Sequence, residues 1–267
     1  MKFIKKFVVL SLIPFTLLGC KNKDNKQREG DESIVIDPTK TVEDFSESEY
    51  NQIPSYVAWK LGTYTKYKSV TKGSTISSGL IKVTQSIDTT SIKSEYSYTK
   101  NESHSSLVNS IHEAYYHDSK AVYREKDSGD FSVSSLDDYL SMFGTYPFSN
   151  SLEGYSIKLD AIKSVTKSEE QDKHVFMVVF DEEKATNNVK IQMKKIGGLD
   201  DYPSFSLIEM TLVISSDFTL SSIFLHSKYK AKMVLSTNCE QSYNVTFTNY
   251  NEDVEIPNLE SVKPLFN

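Results

Sequence analysis

Apolar and polar positions follow three successive rhythms along this chain. Lys2, Lys5 and Lys6 precede an apolar run from Phe7 to Leu18, which stops at Gly19-Cys20. A bilayer-spanning helix needs roughly 20 apolar residues, so this run is too short to cross as a helix. A basic start, a short apolar middle and a small residue at the end predict an export signal over residues 1–19. Further on, Tyr50, Ile53, Val57, Leu61 and Tyr64 recur at spacings of three and four, which predicts a helix with one apolar face. Ser46 or Ser48 can cap it, Pro54 marks its start or a kink, Gly62 weakens its end, and Trp59 lies off the stripe.

After Lys66 the period falls to two. Ile81, Val83 and Ile87 alternate with Lys82, Thr84 and Ser86. Ile92, Tyr96 and Tyr98 alternate with Lys93, Glu95 and Ser97. Val189, Ile191 and Met193 alternate with Lys190, Gln192 and Lys194. Half-buried strands give this pattern. Turns are predicted at Asp88-Thr89-Thr90, Asp118-Ser119, residues 181–188 and Ser215-Ser216-Asp217, because Asp, Asn and Ser bond locally to turn backbone. Consecutive strands joined by short turns imply an antiparallel meander.

The meander has one interruption, from Ser134 to Gly144. A serine caps the start, Asp137 and Asp138 complement the first-turn dipole, and Gly144 with Pro147 ends the segment. Leu136, Tyr139, Leu140 and Phe143 form its apolar stripe. Three later runs, 175–180, 207–214 and 223–225, are apolar at successive positions. Either both sides of that part of the sheet are covered, or one side is an apolar binding surface.

Composition narrows the class. Residues 20–267 suffice for one large domain and a sizeable core. Removing the three lysines of the signal takes the formal charge from −6 to −9. An acidic chain argues against nucleic-acid binding and against adhesion to anionic headgroups through protein charge. Residues 21–41 are polar and charged, with Ile34-Val35-Ile36 as the only apolar island, and read as a flexible tether reaching roughly 25 Å. One domain is expected over residues 42–267. Cys20 and Cys239 are the only cysteines.

The search for chemistry returns no catalytic set and no metal or cofactor site. His112 and His117 are five apart, not the four that a helical zinc motif needs, and on a strand they face opposite ways. The carboxylate clusters at Asp181-Glu182-Glu183, Asp200-Asp201 and Glu252-Asp253 fall in predicted loops without calcium-loop spacing. Gly197-Gly198 lacks the lysine of a phosphate loop, and no nucleophile elbow is present. Cys239 has no histidine nearby in sequence and reads as an ordinary free thiol. The chain is therefore expected to bind, not to catalyse. Tyrosine and phenylalanine together number 30, which suits a core, cavity walls or an interface.

Two resemblances add to this reading. Leu17-Leu18-Gly19-Cys20 resembles the lipobox of bacterial lipoproteins, although the family usually has a smaller residue at the position of Leu18. The resemblance implies cleavage between Gly19 and Cys20, acylation of Cys20, and anchoring through acyl chains at the extracytoplasmic face of a membrane (the outer membrane in a diderm host). The second concerns roughly residues 46–257. A helix, a long antiparallel meander with a mid-chain helix, the turn Ser215-Ser216-Asp217-Phe218-Thr219 and an ending at Val254-Glu255-Ile256-Pro257 look like the LolA/LppX-type lipoprotein fold. That resemblance implies an α+β, mainly β architecture, a curved half-barrel sheet wrapping helices, and a concavity for a lipid or other hydrophobic ligand. Leu136, Tyr139, Leu140 and Phe143 would then line the cavity, and the protein would act as carrier, chaperone or sensor. The alternative is a surface lipoprotein with a filled core that binds a protein partner.

Overall fold

The computed structural model describes residues 34–79, 82–106, 109–127, 129–143, 159–170, 172–186, 190, 193, 194, 199–232 and 236–267. Among the described residues, eleven antiparallel strands form one sheet: β1 Tyr67–Ser78, β2 Lys82–Lys93, β3 Ser97–Ser105, β4 Asn109–His117, β5 Lys120–Arg124, β6 Ser132–Ser135, β7 Ile162–Glu170, β8 Lys173–Phe180, β9 Ser204–Ile214, β10 Leu220–Lys232 and β11 Ser236–Thr248. Their order is β6-β5-β4-β3-β2-β1-β11-β10-β9-β8-β7. The chain walks from the centre to one edge, passes to the other edge, and walks back until β11 pairs with β1. The sheet is curved and unclosed, as expected for the α+β half-barrel class.

Helix α1, Ile53–Thr63, buries Ile53, Tyr56, Val57 and Leu61 on one face of the sheet. Ahead of it, the Ser46 N–H donates to the Glu49 carboxylate (3.0 Å), a local cap that lets the chain enter the turn. Pro54 sits in the first turn, where its missing N–H costs nothing. The predicted turn at Ser215 does more than reverse the chain. Its Asp217 carboxylate accepts from Thr219 N–H (3.1 Å) and pairs with Lys60 of α1 at 2.9 Å. Ser216 C=O accepts from Val42 N–H at 2.9 Å. Ile34 and Ile36, from the segment expected to be tether, also pack on this core.

Helix α2, Leu136–Phe143, joins the β6 edge to the same face. Ser135 Oγ accepts from Asp138 N–H (3.1 Å) and donates to its carboxylate (2.7 Å), the cap expected from a serine in this position. Gly144 and Pro147 lie outside the described residues.

Three expectations are corrected. Asp88-Thr89-Thr90 is not a turn but the middle of β2, and the reversal comes at Ser94 to Tyr96. Thr89 and Thr90 are β-branched and suit a strand, and the neighbouring strands extend the ladder through them. Lys190, Met193 and Lys194 are helical, not extended. Val189 and Met193 are four apart as well as alternate, a spacing that also fits a helix, while Val189, Ile191 and Gln192 lie outside the described residues. The last strand ends at Thr248, not at Pro257. Asn249 and Asn251 take left-handed φ of 58° and 56°, which breaks the strand.

A second layer follows from that break. Residues 254–266 cross to the opposite face, where Ile256, Val262 and Phe266, the latter two around the short helix α3 Leu259–Val262, cover Ile92, Tyr98, Tyr115 and Val122. This segment does not cover the three later apolar runs, whose two faces differ. Phe176, Val178, Ile208, Met210, Leu212 and Ile214 are buried on the helix face, while Met177 and Phe224, on the other face, are each 44% exposed.

Candidate ligand-binding face

Residues directly opposite each other in a ladder project from the same face, so register identifies the rows of side chains beneath the helices. One row crosses nearly the whole sheet: Phe176 on β8, Leu212, Ile223, Val245, then Thr71 on β1, Thr89, Asn101 and His112 on β4. Its chemistry changes at the β11–β1 seam. The first four side chains are apolar and the last four are polar without formal charge at neutral pH. The parallel row through Val178, Met210, Leu225 and Tyr243 reaches Gly73, Ile87 and Ser103 and repeats the change more weakly. A Cβ on Gly73 would collide with Ser242 O and the Tyr243 ring, so glycine here lets the ring lie across the strand.

The apolar half is filled. Tyr50 meets Phe176 edge-on at 5.3 Å, and Phe45, Tyr56 and Phe218 pack as an aromatic cluster with centroids 4.9 to 5.9 Å apart. The polar half is buried too: Thr71, Thr75, Ser77, Gln85, Thr89, Ser91, Thr99, Asn101 and Ser103 are all at most 8% exposed. Burial of such groups is costly unless they are hydrogen-bonded. Most are. Ser91 and Thr99 share a bond of 3.0 Å, Gln85 donates to Ser103, Thr75 and Tyr243 are 2.5 Å apart, and Gln241 donates to Tyr229 at 2.6 Å. Thr89 Oγ1 and Asn101 Oδ1, direct cross-strand neighbours, have no partner.

His112 ends the row. Its Nε2 lies 2.6 Å from the Tyr139 hydroxyl, which accepts from the Tyr116 hydroxyl at 2.9 Å. Burial pushes the imidazole down to about 4, so it is neutral at pH 7. Tyr139 also packs against Tyr123 and Phe143 at 5.4 and 4.8 Å.

Of the predicted lining residues, Tyr139 is thus a buried member of an aromatic cluster, and Leu136 and Phe143 pack partly buried on the same core. Leu140 belongs to α2, with its side chain outside the description. Neither of two surface cavities involves them. One, about 480 Å3, lies around the β9–β10 irregularity at Phe205, Lys228 and Tyr229; the other, about 620 Å3, lies between Tyr96 and the C-terminal segment. Gly19 and Cys20 lie outside the described residues.

Of the remaining sequence candidates, His117 and Cys239 lie outside this row. His112 and His117 face opposite ways, the latter stacked on Tyr96 at 3.9 Å. Burial raises the Cys239 thiol, which keeps it protonated and unreactive. Buried Glu113, unmarked in the sequence reading, is held by Arg124 at 2.6 Å and accepts from the Tyr98 and Tyr115 hydroxyls at 3.1 Å each. The sequence reading also missed the row from Thr71 to His112. The alternation of Thr89 and Ser91 with Thr90 and Ile92 carried the signal, but reading Asp88-Thr89-Thr90 as a turn concealed it.

No family model matches the chain, and no curated protein matches it. Among solved structures, a DUF1329 family protein from Desulfovibrio piger is 11% identical with a TM-score of 0.27, covering 80% of this chain and 96% of its own. A LolA superfamily protein from Nitrosomonas europaea is 8% identical with a TM-score of 0.28, covering 79% of this chain and 95% of its own.

Proposed function

We propose that this chain is an extracytoplasmic lipoprotein, anchored through acyl chains on Cys20, that binds a lipid or other hydrophobic ligand on the helix-covered face of its sheet. It acts by holding the ligand, as carrier, chaperone or sensor, and not by turnover. The carrying observation is the row from Phe176 to His112, apolar on one half and polar but uncharged on the other. Because α1 and the segment before it already fill the apolar half, the ligand belongs over β1–β4, between α1 and the aromatic cluster of α2. Ile87, Tyr243, Tyr139 and Phe143 supply apolar contact there. Apolar burial at about 25 cal/mol per Å2 gives a long acyl chain several kcal/mol without any sequence motif.

The test is native mass spectrometry with organic extraction on residues 21–267 produced in bacteria. Lacking Cys20, this chain can carry lipid only non-covalently. Stoichiometric lipid is the expected result. A clean apo mass, unchanged after incubation with envelope lipids, would overturn the reading.

A second reading has its own observation. On the opposite face Met177, Thr211 and Phe224 line up across β8, β9 and β10, with Val175 and Val213 beside them, and Met177 and Phe224 are half-exposed. An apolar band of this kind suits a protein partner. Met177→Lys with Phe224→Lys would abolish such docking and leave lipid content unchanged.

A further inference from the structure

Thr89 Oγ1 and Asn101 Oδ1 are buried oxygens without a hydrogen-bond partner in a polar floor where Ser91, Thr99, Gln85, Ser103 and Thr75 are bonded. They sit side by side, one on β2 and one on β3, in residues 2% and 5% exposed. On one side Ser91 bonds its direct cross-strand partner Thr99, and on the other Ser103, which lies opposite Ile87, accepts diagonally from Gln85. A buried oxygen without a partner carries a desolvation penalty of its own. Two adjacent ones between bonded neighbours mark a place where a partner is missing.

The chemistry of the two atoms restricts that partner. Asn101 Oδ1 has only lone pairs to offer and needs a donor, while the Thr89 hydroxyl can donate or accept. A ligand hydroxyl meets both requirements at once, accepting from Thr89 and donating to Asn101. An ionised carboxylate or phosphate carries no donor and would set oxygen against oxygen at Asn101. Among the described residues, the nearest members of the row, Thr71 and His112, bring no cation to compensate an anion, since His112 is neutral. They bring no carboxylate to compensate an ammonium either, and an unpaired ion at a buried site is heavily penalised.

We propose that the ligand carries a neutral, hydroxyl-bearing polar group, of the glycerol or sugar kind, that bridges Thr89 and Asn101 on the inner face of β2 and β3. The inference rests on the hydrophobic-ligand reading above and specifies its headgroup. Both oxygens are shielded from solvent in the unliganded chain.

The experiment compares two probes with the same tail, 1-monopalmitoylglycerol and palmitate, titrated against residues 21–267 and followed by calorimetry. The wild-type chain is expected to bind the glycerol ester about tenfold tighter, within the range that two hydrogen bonds to neutral groups are worth. In Thr89→Val with Asn101→Leu, the preference should shrink to roughly twofold or less, with palmitate affinity retained. Equal binding of both probes to the wild type, or tighter binding of palmitate, overturns the headgroup assignment while leaving the hydrophobic-ligand reading intact. Binding of neither overturns both. If the double variant does not fold, the wild-type ratio decides alone. A preference that persists undiminished in a folded double variant overturns the assignment to Thr89 and Asn101.

Discussion

At the scale of single residues, His112 couples the candidate face to pH. Its imidazole titrates near 4 in the folded chain because burial against Tyr139 and Phe143 disfavours the cation, against about 6.5 when unfolded. The unfolded chain therefore takes up a proton as pH falls through 6.5, and the folded one does not until about 4. Stability contributed by this group is fully present above pH 6.5 and is lost progressively down to about 4, by about 2–3 kcal/mol. Urea denaturation at pH 7 and pH 4.5 should show this loss in the wild type and a smaller one in His112→Gln. An identical loss in both would refute the assignment. Glu43, held down to about 2 chiefly by its Ser216 hydrogen bond, loses its contribution at lower pH and does not confuse the comparison.

At the scale of elements, the C-terminal segment shows how two layers share one sheet. Ile256, Val262 and Phe266 bury Ile92, Tyr98, Tyr115 and Val122, and the Tyr115 hydroxyl donates to Pro257 C=O at 2.9 Å. Burial of three large side chains at about 1.5–3 kcal/mol each approaches the whole stability of a typical domain. Truncation after Asp253 should therefore give a chain that aggregates or binds a hydrophobic dye. A soluble truncated monomer within about 1 kcal/mol of the wild type by urea unfolding would show that the segment is dispensable. The opposite layer, α1, was legible as an i, i+3, i+4 stripe, and the α2 cap was legible from its serine and aspartates. The C-terminal layer was not legible. Its apolar positions are too few and irregular to announce a face, and only the left-handed turns at Asn249 and Asn251 direct it across.

At the scale of the molecule, the anchor and the sheet are separate devices. None of the described helices is long and apolar enough to cross a membrane, and the proposed attachment is covalent lipid on Cys20. Labelling with a radioactive fatty acid should mark the wild-type protein and leave Cys20→Ser unmarked. Label retained by Cys20→Ser, or a mature chain still starting at Met1, would sink the anchor. In the sheet, β1 pairs with β11 along its length, Lys68 with Thr248 through Ser78 with Asn238. The centre of the sheet thus joins the two ends of the domain, and the polar half of the candidate row begins at that seam.

The sequence by itself determined which segments are strand and helix over much of the chain and where several turns fall. These follow from local periodicity and turn chemistry, each confined to a few neighbouring residues. It determined less well what periods shared by two structures leave open, as at residues 189–194, or what one misplaced turn hides, as at Thr89. Only the tertiary structure decided that Thr71, Thr89, Asn101 and His112 form one line beside Val245, because register between distant strands sets that line and no local rule encodes it. The same holds for the unsatisfied pair at Thr89 and Asn101. Whether a buried oxygen finds a partner depends on what every neighbouring strand brings to it.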